Sequence, residues 1–185
     1  MRASVFVGDI AEVGAEALCT STNPRLSLMM GTGAAVRARG GYEILRACEE
    51  IVRREGQLPP GSAWPTTAGS LPSKVVIHCV ASDAMHRSSE GIVASCVRNA
   101  LVAAARAGCR TVAMPIFATG HAHVSFRRAL EAMANAAAGS AAEIIFVIRD
   151  EEDLDDVREV LGRRVPVTRS EAMATSSWGE ENPFG

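Results

Sequence analysis

Met114-Pro-Ile-Phe-Ala-Thr-Gly-His-Ala-His123 is a stretch in which an apolar segment runs into small residues and turns at Gly120. A helix start follows near Ser125. In α/β proteins, a loop of this kind presents backbone N–H groups to an anionic ligand at the carboxyl edge of the sheet. The stretch therefore predicts an α/β fold in which this loop holds phosphate.

Apolar segments and amphipathic helices alternate along the rest of the chain. Strands are predicted within residues 4–8, 15–20, 64–68, 74–80, 111–115 and 143–148, and helices within 42–55, 89–107, 125–138 and 150–161. Asp150 is expected to cap the last helix. The alternation predicts a three-layer α/β/α sandwich with a mixed, mostly parallel central sheet.

Length and composition favour one domain. The 185 residues are 48% apolar and 22% charged, which suits a single domain over residues 1–165 with a sizeable core. Residues 166–185 are rich in Thr, Ser, Glu, Asn, Gly and Pro, and we expect this polar tail to be mobile or loosely packed. No segment resembles a membrane span or a secretory leader, so a soluble cytoplasmic protein without a membrane partner is expected.

The charge balance and the cysteines exclude several classes of function. A net charge of −2 gives no global basic field for duplex nucleic acid. The five cysteines are odd in number and form no CxxC motif, which argues against a disulfide framework or a zinc site and predicts buried thiols. His78 lies within an apolar strand and is expected to be a hydrogen-bonded core residue, and no metal site is predicted. A single lysine among 19 basic residues indicates a GC-rich, bacterial genome.

Polar and glycine residues follow the first two predicted strands. Asp9 and Asn23 are each common turn residues, but both follow strands, where open α/β sheets bind ligands. The run Gly31-Thr32-Gly33 leads into a short helix and is a second candidate phosphate loop. It has neither the lysine of a P-loop nor the GxGxxG spacing. Met29 and Met30, just before it, are interpreted as adaptable packing or as the lip of a pocket.

Read together, four pieces of the chain resemble the macrodomain family in order and spacing, over roughly residues 4–162. The pieces are Gly8-Asp9-Ile10, Asn23 at the end of the second strand, the glycine-bearing loop that ends at Gly41, and residues 115–123. The resemblance implies a divergent member that binds ADP-ribose in a cleft at the carboxyl edge of the sheet. It also implies that Asp9 accepts the adenine amino group, Ile10 lines the base pocket and Asn23 approaches the distal ribose.

The resemblance assigns the diphosphate to two loops. The first contains Gly31, Thr32 and Gly33, and the second contains Ala118, Thr119, Gly120, His121 and Ala122. Backbone N–H donors can hold a diphosphate without lysine, so the chain need not be basic. Arg149 stands where family members often carry an aromatic residue against adenine, and its guanidinium plane could stack in the same way. No cofactor beyond the ligand is implied.

Departures from the family pattern bear on catalysis. Leu28-Met29-Met30-Gly31 replaces the family's glycine run, and Gly33 stands where many hydrolytic members have an aspartate. Asn23 and His121 are the remaining candidates for a catalytic role, with His121 as a general acid or base near the distal ribose. The alternative is that His121 only packs over the ligand and His123 is a solvated loop residue.

Three functions stay open at this point. The first is a monomeric module that binds free ADP-ribose or ADP-ribosyl groups on proteins or nucleic acids. The second is an ADP-ribosyl hydrolase or O-acetyl-ADP-ribose deacetylase with a non-standard catalytic site. The third is an interaction or nucleic-acid-binding domain that has lost the ligand, which would leave Asp9 and Asn23 unexplained.

Overall fold

The computed structural model of the protein describes residues 1–171. Its strands are β1 (Arg2–Val7), β2 (Ala17–Thr22), β3 (Ala63–Thr66), β4 (Val75–Val80), β5 (Thr111–Pro115), β6 (Glu143–Ile148) and β7 (Val167–Arg169). Its helices are α1 (Gly31–Gly40), α2 (Tyr42–Glu55), α3 (Glu90–Arg106), α4 (Phe126–Ala137) and α5 (Leu154–Leu161). Short 3-10 turns cover Ile10–Glu12 and Glu151–Asp153.

The seven strands form one mixed sheet in the order β3-β4-β2-β5-β6-β1-β7. Only the β3–β4 pair is antiparallel, so all strands except β3 point the same way. Because parallel strands end at one edge of a sheet, the loops that follow β1, β2, β4, β5 and β6 gather there. The predicted three-layer fold with a mostly parallel sheet is confirmed.

Helices cover both faces of the sheet, and each face packs against its helices through a separate cluster of apolar side chains. Strand β4 is fully buried, and its side chains alternate: Ile77 and Cys79 join the cluster beneath α3 and α4, whereas Val76 and Val80 join the cluster beneath α1 and α2. This period of two explains why a nearly continuous apolar run forms a central strand rather than a helix. No helix in residues 1–171 combines the length and apolar character that a membrane crossing requires.

Two sequence-based expectations need correction. The sheet extends into the predicted tail, because Val167–Arg169 pairs with β1 in parallel. Val5 N donates to the Pro166 carbonyl at 2.8 Å, and Ser170 N donates to the Val7 carbonyl at 2.9 Å. These bonds satisfy an exposed edge of β1, a tertiary effect that a short polar strand does not reveal in sequence. The rest of the tail, residues 172–185, lies outside the described residues.

The second correction concerns the last helix. Asp150 precedes the 3-10 turn Glu151–Asp153, and its side chain makes no capping hydrogen bond. The α-helix itself starts at Leu154. Asp150 is therefore not the cap of α5, because three acidic residues in a tighter turn intervene.

Candidate functional site

The predicted site residues stand at one edge of the sheet. Asp9 follows β1, Asn23 follows β2, residues 116–122 follow β5 and Arg149 follows β6. In the strand order, β2 and β1 are separated by β5 and β6. The loops that follow these four strands therefore form a row, with Asn23 at one end and Asp9 at the other. The loop after β5 lies between them. The edge can therefore take an elongated ligand that spans several strand ends.

Asp9 is half-buried and begins the 3-10 turn at one end of the row. Its Oδ1 accepts a hydrogen bond from Ala11 N at 2.9 Å, which shows that it is a cap for the turn. The second carboxylate oxygen has no hydrogen-bond partner among residues 1–171. A carboxylate can accept from a ligand amino group while it keeps such a cap. Ile10, which follows it, is 2% exposed and sits with the cluster beneath α1 and α2.

Helix α1 places the first predicted phosphate loop. Gly31, Thr32 and Gly33 form its first turn, whose N–H groups precede the intrahelical hydrogen bonds. The preceding residue, Met30, provides no side-chain cap. Thr32 Oγ1 accepts from Ser21 N at 3.3 Å, which attaches this helix start to the end of β2. Free N–H groups and the helix dipole together favour an anion here.

The second predicted phosphate loop is held in an unusual backbone conformation. Ala118 has φ of 64°, in the left-handed region that residues with a Cβ rarely adopt. Three hydrogen bonds maintain it: Thr119 Oγ1 to the Ile116 carbonyl at 3.1 Å, Val124 N to the Ala118 carbonyl at 3.1 Å, and His123 N to the Gly120 carbonyl at 3.0 Å. Such local strain persists where the surroundings over-determine it, often at ligand sites.

Ser21 joins the two loops, a role that the sequence analysis did not assign to it. Its N–H donates to Thr32 in the first loop, and its Oγ accepts from Ala118 N of the second at 3.5 Å. The two sets of backbone donors are therefore neighbours. The signal in sequence was the position of Ser21 just before the end of a buried strand.

Asn23 has a structural role that is visible without ligand. Its Oδ1 accepts from Arg25 N at 3.0 Å and from Ser27 N at 3.4 Å, so the amide oxygen orders the turn after β2. The Nδ2 group is a donor, and it makes no hydrogen bond within the described chain. Both interpretations of Asn23, turn former and ligand donor, are compatible with this geometry.

His121 is exposed, and its neighbour is another histidine. The rings of His121 and His86 have centroids 6.2 Å apart and are tilted by 47°. The sequence analysis missed His86, because it lies 35 positions earlier in a polar loop. The adjacency of β4 and β2 brings that loop to the Asn23 end of the row: Ala81 N donates to the Thr22 carbonyl at 2.9 Å.

Asp83 orders the turn that carries His86. Its Oδ1 accepts from Met85 N and Arg87 N at 2.8 Å each, and its Oδ2 accepts from Arg87 Nε at 2.9 Å. These bonds lower the pKa of the Asp83 carboxyl, and the bond from the Arg87 backbone N–H has the largest effect. His86 itself has a left-handed φ of 58° and is exposed. The turn therefore presents outward-facing side chains on a defined backbone.

Comparison with known proteins identifies the family. A model of the Macro domain matches residues 19–133. The chain belongs to the macrodomain family. An uncharacterised protein of Pyrobaculum aerophilum is 33% identical over 165 residues, which are 86% of this chain and 90% of that protein.

Other relatives carry a functional name. An O-acetyl-ADP-ribose deacetylase of Enterobacter cloacae is 35% identical over 118 residues, 63% of this chain and 66% of that protein. A protein of the same name from Citrobacter rodentium is 32% identical over 160 residues, 82% of this chain and 90% of that protein.

Solved macrodomain structures share the fold. A mutant of the Oceanobacillus iheyensis macrodomain, solved with ADPR, has a TM-score of 0.78 at 24% identity and covers 86% of this chain and 91% of that one. The Trypanosoma brucei macrodomain in complex with ADP-ribose has a TM-score of 0.77 at 18% identity and covers 87% and 69%. At these identities the likeness concerns the fold.

Within this macrodomain, Gly33 has a packing reason to lack a side chain. It is buried, and a Cβ built on it would lie 3.1 Å from both Cα and Cδ2 of Leu28. Leu28 is 0% exposed. A side chain at Gly33 therefore requires Leu28 to move, so Gly33 and Leu28 form one packing unit.

The remaining titratable groups of the macrodomain core do not form a site. His78 is buried and contacts the hydroxyls of Thr20 at 3.1 Å and Thr66 at 2.8 Å, as expected of a core histidine. Burial lowers its pKa to about 4. All five cysteines are buried free thiols. In residues 1–171, no three His, Cys, Asp or Glu side chains are grouped to hold a metal ion.

A separate cavity of about 690 Å³ lies beyond the 3-10 turn that follows Asp9. Its lining includes Phe6, Glu12, Arg39 and Arg169, and none of the predicted ligand residues. Both arginines are paired: Arg39 with Glu12, and Arg169 with Glu151. The cavity is therefore distinct from the row of loops at the carboxyl edge, and its arginines are already neutralised.

Proposed function

We propose that this macrodomain binds ADP-ribose, free or attached to a protein or nucleic acid, along the carboxyl edge of its sheet. One observation carries the proposal: Ser21 ties the first turn of α1 to the loop of Ala118, so that two sets of backbone N–H donors adjoin. A diphosphate is the anion that such a pair of neutral donor sets suits.

The ends of the row suit the two ends of the ligand. Asp9 has a carboxylate oxygen available for the adenine amino group, whereas the Ile10 side chain beside it is buried in the core. Arg149 is exposed after β6, next to β1 in the sheet, where its guanidinium plane could stack on the base. At the other end, the Asn23 amide N–H group and the His121 imidazole can donate to the distal ribose.

The relatives support this assignment. Two have the name O-acetyl-ADP-ribose deacetylase, and the Trypanosoma brucei macrodomain is described in complex with ADP-ribose. Bacterial relatives and the single lysine among 19 basic residues also support a bacterial protein. We also propose that the protein is a cytoplasmic monomer and that it needs no cofactor.

Substitution of Gly120 tests the site. Gly120 is exposed, has no left-handed φ, and a Cβ there would meet nothing within 4 Å. Gly120→Val should therefore fold normally but lose at least about tenfold in ADP-ribose affinity, because its side chain enters the phosphate space. Titration calorimetry measures the affinity, and thermal unfolding checks the fold.

Gly14→Val is the matched control. Gly14 is also exposed, without left-handed φ and with open space around its Cβ, but it lies in the loop between the 3-10 turn and β2. The control should bind like wild type. Equal affinity of the two variants would contradict the placement of the diphosphate. Tight AMP binding without preference for ADP-ribose would contradict the function.

A second candidate function is deacetylation of O-acetyl-ADP-ribose. The observation that favours it is the His86–His121 contact, which places two imidazoles at the distal-ribose end. Water would add to the acetyl carbonyl, and the ribose hydroxyl would leave with a proton, giving acetate and ADP-ribose; an imidazole can transfer these protons. Acetate release by wild type that falls in His121→Ala and Asn23→Ala would establish it. A lack of turnover would leave binding alone.

A further inference from the structure

Ser21 is the only residue of β2 that is not buried. The other residues of this strand, on both sides of Ser21, are buried. In the strand order β2 lies beside β5, so the carboxyl end of β2 adjoins the loop that follows β5. The one partly exposed position of the strand therefore lies where the proposed cleft opens.

The hydroxyl group of Ser21 uses only part of its hydrogen-bonding capacity. Its oxygen accepts from Ala118 N at 3.5 Å, and its O–H donates to no group among residues 1–171. The bond from Ala118 is at the long end of the range, so it constrains the hydroxyl only weakly. Since a hydroxyl can donate one hydrogen bond while it accepts another, Ser21 has a donor to spare.

Backbone donors without acceptors lie on both sides of this hydroxyl. In the loop after Ala118, the N–H groups of residues 119–122 donate to no atom of the described chain. The N–H groups of residues 31–33, in the first turn of α1, are equally without an acceptor there. Ser21 N donates to Thr32 Oγ1 at 3.3 Å and so keeps this turn beside β2. Adjoining donors that lack acceptors suit an anion.

We propose that the Ser21 hydroxyl is a side-chain donor to the diphosphate, and that it binds the phosphate nearer the distal ribose. This inference deepens the proposed function and rests on it. The strand order decides between the two phosphates, because Ser21 lies at the β2 end of the row with Asn23, whereas β5 and β6 separate it from Asp9. A hydroxyl adds a donor without adding charge, and its hydrogen bond to an ionised acceptor is a strong one.

Ser21→Ala tests this role, because it removes the hydroxyl and leaves the backbone hydrogen bond from residue 21 to Thr32 in place. The affinity for ADP-ribose should fall at least about tenfold, since a hydrogen bond to a charged group is lost. Titration calorimetry measures the affinity, and thermal unfolding checks the fold. In phosphorus NMR of ADP-ribose bound at saturation, the resonance of the phosphate nearer the distal ribose should differ most between wild type and variant.

Ser27→Ala is the matched control. Ser27 is also exposed to solvent after β2, and only its backbone N–H makes a hydrogen bond within residues 1–171. This control should bind ADP-ribose like wild type.

Three results would contradict the inference. Wild-type affinity in Ser21→Ala would overturn the role of Ser21 and leave the proposed function standing. A loss of affinity with equal changes at both phosphorus resonances, or with none, would show that the hydroxyl only orders the loop of Ala118, and would also overturn it. Absence of ADP-ribose binding in wild type would refute the proposed function itself.

Discussion

Two polar residues proposed to bind the ligand already have structural roles in this macrodomain. Asp9 caps its turn through one oxygen, and Asn23 orders the turn after β2 through its amide oxygen. In both, the atoms left over are those that a ligand would use. Their structural and functional interpretations are therefore complementary, because each side chain has more hydrogen-bonding groups than its turn consumes.

Gly33 shows how a neighbour constrains the side chain that a position can carry. The buried Leu28 fills the space that a Cβ at residue 33 would enter. Gly33→Asp would therefore overpack this position, which typically costs about 1–3 kcal/mol of stability.

Because His78 is buried, we predict that the folded state becomes less stable in acid. Its pKa is lowered to about 4 by burial, whereas an unfolded histidine titrates near 6.5. The unfolded state binds the proton first, so stability from neutral His78 is fully present above about pH 6.5 and is lost as pH falls towards 4. The loss should reach about 3 kcal/mol in the free energy of unfolding.

Urea unfolding at pH 7 and at pH 4.5 measures this effect in wild type and in His78→Gln. The variant should have a smaller decrease in stability between the two pH values, even if its stability at pH 7 is lower. His123→Gln, at an exposed position, is the control and should keep the wild-type decrease. The same decrease in all three proteins would show that His78 does not titrate with folding.

At the scale of elements, long periodic segments are predictable and the last strand is not. Helix α2 and strand β4 lie within one residue of their predicted bounds, because the apolar positions repeat with the period of each structure. Strand β7 has three residues, of which two are exposed, so it offers no such pattern. Its existence follows from the open edge of β1.

Two truncated chains test the contribution of β7. A chain that ends at residue 171 retains every contact between β7 and β1. One that ends at residue 165 loses this pairing, including the hydrogen bonds from Val5 N to the Pro166 carbonyl, from Ser170 N to the Val7 carbonyl and from Thr168 Oγ1 to the Val5 carbonyl. The shorter chain should be less stable than the longer by at least about 3 kcal/mol, since each of these bonds contributes about 1 kcal/mol. Denaturant unfolding of both compares them directly. Equal stability would mean that the folded body ends before β7.

At the scale of the molecule, the net charge of −2 and the neutral phosphate loops both predict that ADP-ribose binding depends little on salt. If backbone N–H groups hold the diphosphate, the dissociation constant of ADP-ribose should change by less than about threefold between 50 and 200 mM salt. Binding through several arginines would produce a much steeper loss. Calorimetry at the two salt concentrations separates them, and a steep loss would contradict a diphosphate held by backbone N–H groups.

The sequence by itself determined the fold class, the layering and the carboxyl-edge position of Asp9, Asn23 and both glycine-containing loops. It could do so because periodicity and turn chemistry are local properties of the chain. Tertiary structure alone decided that Ser21 joins the loops, that His86 meets His121, that Leu28 closes Gly33 and that β7 completes the sheet. Each of these is a contact between segments distant in sequence, and only the pairing order of the strands brings such segments together.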